Sequence, residues 1–269
     1  GNPALISLGR LQQWGWLAAD DVTRAHTNRE HRQVCLRNAH QGYLLQATPQ
    51  ESTAYARFLS HHAHWLDDYA LYQALRQEHG DQPWWSWPAA LRDRVPGKLN
   101  KARARLAPVM QQVRFEQYIF FRQWHELRQY AGTHGVWLFG DMPIFVAHDS
   151  ADVWAQRDDF MLDEHGQPTV VAGVPPDYFS ATGQRWGNPL YNWQRMQAEG
   201  FRWWLTRVAT QLELFDLLRI DHFRGFEAYW EIPAGETTAV HGRWVNAPGD
   251  ALFQVLQAHF DPLPLVAED

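Results

Sequence analysis

Leu217-Leu218-Arg219-Ile220-Asp221-His222-Phe223-Arg224-Gly225-Phe226 decides how this chain is read. It begins as an apolar, strand-like run. It then crowds two cations, a carboxylate and an imidazole into six residues. On a strand, Arg219 and Asp221 point to one side and Ile220 to the other. An arginine beside a carboxylate favours its charged form, and a charged carboxylate at a strand end is a candidate nucleophile or base. The plainer reading is an ion pair that closes a strand. The rest of the chain has to separate the two.

Two further segments have the same shape. Val136-Trp137-Leu138-Phe139 reads as a strand leading into Gly140-Asp141-Met142-Pro143, and Leu265-Val266-Ala267 leads into Glu268. Three apolar strands each ending in a carboxylate (Asp141, Asp221 and Glu268) point to the C-terminal rim of a parallel sheet, where barrel enzymes place their catalytic groups. Helical patterns alternate with these strands, so the expected class is α/β. Adjacent strands lie about 4.8 Å apart. If Asp221 and Glu268 end neighbouring strands, their separation approaches the roughly 5–5.5 Å of retaining glycosidases, short of the gap an inverting enzyme needs for water. One carboxylate would then be the nucleophile and the other the acid and base. Arg219 would keep Asp221 charged. Glu268, next to apolar neighbours, would have its pKa raised. His222 would donate to a sugar hydroxyl or be an ordinary strand-end histidine.

Ahead of these strands the chain is helical. Thr48-Pro49-Gln50-Glu51 is a capping box with proline in the first turn, and it opens a helix expected to stop at Gly80. The stretch from Thr23 to Gln46 has no clear assignment. A long helix is expected over about 99–131, with Leu106, Met110, Phe120 and Leu127 in its buried stripe. His61, His62 and His64 are read as ordinary helix histidines; no carboxylate or cysteine has metal-site spacing with them, so no metal is assigned. The expected division is a helical subdomain over 1–132 and a sheet-bearing part over 133–269, with a long Gly/Pro-rich loop at 147–193.

Composition narrows the partners. The 269 residues carry 24 basic and 30 acidic side chains, a net charge of −6. There is no strongly basic block, which disfavours nucleic acid and anionic membrane as partners. No apolar run is long enough for a membrane span. A single cysteine, Cys35, rules out an internal disulfide framework and suits a reducing, cytoplasmic setting. The 15 tryptophans are many. Several lie in loop-like surroundings, as in Pro83-Trp84-Trp85-Ser86-Trp87-Pro88 and Arg185-Trp186-Gly187. Flat aromatic faces pack on sugar C–H faces, so carbohydrate is the ligand class composition suggests; the alternative is that these rings are core.

These residues together carry a resemblance. Gly1-Asn2-Pro3, Gly140 to Val146, Asp149 to Trp154, Gly173 to Ser180, Gly183 to Tyr191, Arg219 to Gly225 and Val266-Ala267-Glu268-Asp269 are similar to the 4-α-glucanotransferase (amylomaltase, or disproportionating enzyme) family, glycoside hydrolase family 77. The resemblance implies part of a (β/α)8 barrel, with about three barrel strands present and a helical insertion. It implies Asp221 as nucleophile and Glu268 as acid/base. Asp141, Arg219 and His222 would bind the reacting sugar, and Tyr178 and Trp186 would lie on a loop over the glucan. It also implies an α-1,4-glucan donor, a glucose or maltooligosaccharide acceptor, and no cofactor. The family's third catalytic carboxylate and its first barrel strands have no counterpart in the sequence, so an internal fragment is expected. An α-glucan hydrolase and a non-catalytic glucan-binding piece are the competing readings.

Overall fold

Thr48 shows how closely the helices follow their sequence signals. Its hydroxyl accepts the Glu51 N–H (3.3 Å), and the Glu51 carboxylate accepts the Thr48 N–H (2.9 Å). Two otherwise unpaired donors are satisfied at once. The helix runs Pro49–Glu78, and Gly80 follows with φ 62°. The computed structural model describes residues 1–25 and 29–268; Asp269, the last residue of one quoted motif, lies outside them.

In chain order the helices and strands are α1 (Leu8–Gln13), α2 (Ala19–Ala25), α3 (Arg29–Gln46), α4 (Pro49–Glu78), α5 (Ala89–Arg92), α6 (Pro96–Arg105), α7 (Ala107–Thr133), β1 (Phe139–Pro143), α8 (Ala151–Ala155), β2 (Val170–Val174), β3 (Gln184–Pro189), α9 (Trp193–Ala198), α10 (Arg202–Leu214), β4 (Leu217–Asp221), β5 (Ala228–Pro233), β6 (Arg243–Asn246), α11 (Gly249–His259) and β7 (Leu265–Ala267). The chain divides into two compact units. One takes residues 1–81 and 95–127, and the other residues 82–94 and those from 128 on. Among the described residues no helix is long and apolar enough to cross a membrane.

The first unit is helical. Its core is built on Leu66, Ala70, Leu71 and Leu75 of α4 and Met110, Phe115, Ile119 and Phe121 of α7, all buried. His62 is buried and accepts the Trp65 indole N–H at 3.1 Å, so it is a packing residue of α4. The expected single helix over 99–131 is two, broken at Leu106. Pro108 is the reason: it has no N–H for an interior helix bond, and its ring clashes with the carbonyl four residues back. Leu127, expected in the buried stripe, is 49 % exposed.

The second unit holds two sheets. β1, β4 and β7 form a three-stranded parallel sheet in that order, with Asp141 opposite Arg219, and Arg219 opposite Val266. Met142, Leu218 and Ile220 are buried on one face. β1 starts later than the expected 136–139, because its ladder begins where Phe139 meets Leu217. Before that point the Asp216 carboxylate, and not a strand, accepts the Leu138 N–H (2.8 Å). Val136 and Trp137 are consequently exposed.

The second sheet was not expected from sequence. It is antiparallel, in the order β3-β2-β5-β6. Residues 147–193, expected as one long loop, contain α8, β2 and β3; the connection from β2 to β3 is residues 175–183. Val171, Ile232 and Ala239 form the core of this sheet, with Trp230 packed on it. Of the loop tryptophans suggested as sugar platforms, Trp84 and Trp87 are buried. Their indole N–H groups bond the His148 carbonyl (2.8 Å) and the Gln82 carbonyl (3.0 Å). These rings are pegs that fix the 83–88 segment.

Candidate active site

Alternation along β4 places Leu218 and Ile220 in the core and turns Arg219 and Asp221 outward on one side. In a parallel ladder, residues paired across strands share a side, so Asp141 of β1 joins them. Glu268 follows β7 in step with Asp221; its N–H still bonds the Ile220 carbonyl (3.2 Å). Four charged side chains thus collect on one side of three strands.

Arg219 ties them together. Its Nη1 donates to Asp141 Oδ1 (2.8 Å) and its Nη2 to Asp221 Oδ1 (2.9 Å), while Glu268 Oε1 lies 3.4 Å from the same Nη2. Both strand-end carboxylates touch one nitrogen. That holds those oxygens closer than the roughly 6.5 Å at which inverting spacing begins. Asp141 differs from the expected arrangement: it is the third residue of β1, level with Arg219, and so sits one step below the rim. All four side chains are partly exposed, and exposed ion pairs add little to stability. The cluster does little to hold the fold together, which favours a site over a structural clasp.

The turn after β4 supplies the next contact. His222 has φ 57°, a left-handed conformation that costs a residue with a side chain roughly 1–2 kcal/mol. The turn aims the His222 N–H at Glu268 Oε2, 3.0 Å away. This hydrogen bond, then the Arg219 charge, hold the Glu268 carboxyl below its ordinary value. The expected upward shift is therefore reversed in the free chain. The three apolar residues before Glu268 run along β7 and do not cover its carboxyl.

The His222 ring meets the Trp186 ring edge-on (centroids 4.9 Å apart, 88°), and Trp186 also touches Phe145 (6.4 Å). Trp186, on β3, thus brings the antiparallel sheet to the charged cluster. Gln184 fixes it by accepting the indole N–H at 3.1 Å. Tyr178 is not brought in. It sits on the 175–183 connection, 97 % exposed, with its ring edge-on to the equally exposed Phe179. The Asp177 carboxylate pins that tip by accepting the N–H groups of Phe179 (2.9 Å) and Ser180 (2.7 Å).

Sequence reasoning gave no role to Phe145 or Gln184. Phe145 lies four residues after Asp141 in a quoted motif, and that proximity was the signal available. Gln184 stands two residues before Trp186, which on a strand puts both on one side, but the polar, glycine-bearing composition of β3 hides that it is a strand.

Comparison with known proteins agrees with this geometry. The family model for glycoside hydrolase family 77, described as 4-alpha-glucanotransferase, matches residues 1–269. The chain is 50 % identical to a 4-alpha-glucanotransferase of Thermus thermophilus, covering all of this chain and 55 % of that one. It is 43 % identical to one from Synechocystis sp., again covering all of this chain and 55 % of the relative. The chain spans about half the length of the curated relatives it matches. Among solved structures, an amylomaltase from Streptococcus agalactiae in complex with acarbose superposes over the whole chain, which covers 56 % of that protein, with a TM-score of 0.94 at 35 % identity. The three-strand parallel sheet, the charges on its rim and the match over its full length agree: the chain belongs to the 4-α-glucanotransferase family, glycoside hydrolase family 77.

Proposed function

We propose that this chain carries the reacting centre of a retaining 4-α-glucanotransferase, which cleaves an α-1,4-glucan and passes the fragment to the 4-hydroxyl of glucose or a maltooligosaccharide. The observation that carries the reading is Arg219, with Asp221 and Glu268 on one of its nitrogens. Family membership and the acarbose complex of the Streptococcus agalactiae relative support the substrate class. In this reading residues 133–269 hold the catalytic part, and the helical subdomain expected over 1–132 keeps residues 1–81 and 95–127, since 82–94 and 128–132 fall in the sheet-bearing unit. The buried single cysteine, Cys35, supports a cytoplasmic setting.

Asp221 attacks the anomeric carbon. The glycosidic oxygen leaves with a proton from Glu268, and a glycosyl ester forms on Asp221. The acceptor hydroxyl then gives its proton to Glu268 and attacks the same carbon, releasing Asp221 as carboxylate. Arg219 keeps the two carboxylates together and neutralises the charge Asp221 regains on release. Asp141 and His222 bind sugar hydroxyls, and the Trp186 ring packs against a sugar face. Tyr178, on the 175–183 tip, covers the bound chain and keeps water from the ester, so that a sugar acceptor resolves it. Glu268 is held charged in the free chain, whereas the first step needs it protonated. A bound glucan displaces water from this open carboxyl, and that desolvation acts against the depression.

The test is the product pattern from maltotriose. Transfer yields glucose together with glucans longer than the donor. Hydrolysis without longer products overturns the transferase reading. A trappable glycosyl adduct that persists in Asp221→Asn removes Asp221 as nucleophile.

A further inference from the structure

The two carbonyls at the exit of β1, Pro143 and Ile144, are not left to water. Arg207 of α10 reaches both: Nη2 donates to the Pro143 carbonyl (2.5 Å) and Nη1 to that of Ile144 (3.2 Å). Tyr191, just after β3, donates its hydroxyl to the Ile144 carbonyl (2.6 Å) and accepts from Arg207 Nη1 (3.0 Å). The Arg207 guanidinium lies over the rings of Trp203 (5.1 Å) and Trp204 (5.2 Å). Tyr191 is fully buried. Burial pushes the Asp152 carboxyl up, and the Arg207 charge acts against that rise. Two side chains from different elements thus converge on two successive peptide units.

Those units have a definite position. Pro143 is two residues after Asp141 and pairs with Asp221 across the ladder. Ile144 packs beneath Gly225, close enough that a Cβ there would lie 2.7 Å from Ile144 Cδ1. Phe145 follows and touches Trp186, which touches His222. Arg207 therefore grips the chain midway between Asp141, which salt-bridges Arg219, and Phe145, which abuts the tryptophan wall. A guanidinium suits this position, because its planar fork serves two carbonyls at once, and a lysine ammonium has no such fork.

We propose that Arg207, with Tyr191, is a positioning device for the glucan site: it fixes both the height of Asp141 against Arg219 and the placing of the Phe145–Trp186–His222 wall. Neither residue touches the sugar. The inference rests on the glucan reading for its consequence and not for its geometry. Misplacing a binding group by about 1 Å is costly, up to on the order of a hundredfold in rate.

The experiment uses the full chain in four variants: Arg207→Gln, Arg207→Lys, Tyr191→Phe and Val208→Ala. Val208 is buried on the same helix and bonds neither carbonyl, so its variant reports loss of packing alone. Two quantities are read: the Trp186 indole N–H resonance, assigned with Trp186→Phe, and the affinity for maltotetraose. We expect Arg207→Gln to shift the resonance and weaken maltotetraose on the order of tenfold. Tyr191→Phe should do the same more weakly, and Arg207→Lys should fall between wild type and Arg207→Gln. Val208→Ala should lower Tm and leave both readings in place. If Arg207→Gln and Tyr191→Phe lower Tm like Val208→Ala but move neither reading, the proposal is wrong. If Arg207→Gln does not fold, Tyr191→Phe and Arg207→Lys decide alone. If the wild type binds no maltotetraose, the glucan reading fails, and the Trp186 resonance still decides the positioning role.

Discussion

The two sheets of the second unit divide the work. The parallel sheet is short and its strands are ordinary, but its outward side is charged: Asp141, Arg219, Asp221 and Glu268 all fall there. The antiparallel sheet adds no carboxylate to that cluster. It brings Trp186 to the rim and holds the tip that carries Tyr178 and Phe179. One sheet aligns groups whose spacing must be kept to fractions of an ångström, and ladder register does that. The other presents rings, Trp186 at the rim and Tyr178 with Phe179 on its tip. Charges and rings are thus built on different hydrogen-bond patterns, joined at the Trp186–His222 contact, and the proposed function assigns chemistry to the first and recognition to the second.

The comparison breaks most directly at Arg219. Arg219→Met keeps the stem and removes the charge that spans three carboxylates. Transfer from maltotriose should fall on the order of 10²–10³-fold, the usual cost of losing one preorganised electrostatic contact. The melting temperature should hardly change, because the cluster is open to solvent. Arg219→Lys should recover only part of the rate, since one ammonium cannot serve carboxylates on three strands. A large drop in Tm with the rate preserved would make the cluster a structural clasp after all.

Gly173→Ala tests the other sheet and should give the opposite pattern. A Cβ at Gly173 would stand 2.2 Å from the Gln184 carbonyl and 2.6 Å from Ile232 Cδ1. The first is backbone and cannot step aside, so β2 and β3 must separate. A loss of about 1–3 kcal/mol is expected in denaturant unfolding. The charged cluster should keep its geometry, so the rate on a short donor should fall much less than in Arg219→Met. Equal losses of rate in the two variants would mean that the sheets are not separable.

The same contrast explains what could be read from the sequence. β4 and β7 are apolar runs ending in acids, and the i, i+2 spacing of Arg219 and Asp221 fixes their common side without any tertiary information. β3, by contrast, is Gln184-Arg185-Trp186-Gly187-Asn188-Pro189: mostly polar, with glycine and proline, the composition of a loop. Its strand conformation is imposed by β2, which itself needs a glycine where the backbones approach. β6 is four residues long and, among the described residues, pairs only with β5. No periodicity survives in such segments. The state of Glu268 was hidden for a related reason. It depends on an N–H from His222, forty-six residues earlier, turned toward it by a left-handed residue that no local pattern announces.

That hydrogen bond gives the pH prediction. The folded chain holds the Glu268 carboxyl below its ordinary value of 4.5. A depressed carboxylate contributes stability that is fully present above its unfolded value and is lost as pH falls through its folded value. Wild type should therefore exceed Glu268→Gln in Tm by a constant small amount above about pH 5, and the two curves should converge as the pH drops below 4.5. Arg219→Met should narrow the gap, because part of the depression comes from its charge. A gap that widens toward acid would mean that Glu268 is raised, as its apolar neighbours in the sequence suggest.

The smallest expected change in stability is at the tip of the antiparallel sheet, and there the two proposed roles separate most cleanly. Tyr178 and Phe179 are 97 % and 94 % exposed and touch each other, so their removal uncovers no core. Tyr178→Ala should change unfolding free energy by less than about 0.5 kcal/mol. The Asp177 carboxylate still holds the tip through the two N–H groups it accepts. What should move is the fate of the proposed glycosyl ester. With the ring gone, water reaches the ester more easily, and the ratio of hydrolysis to transfer from maltotriose should rise several-fold while donor consumption stays near wild type. An unchanged ratio would take Tyr178 out of the reaction and leave shielding to Trp186. A fall in donor consumption would instead place Tyr178 in binding of the donor chain, a role its distance in sequence from Asp221 does not forbid and its exposure permits.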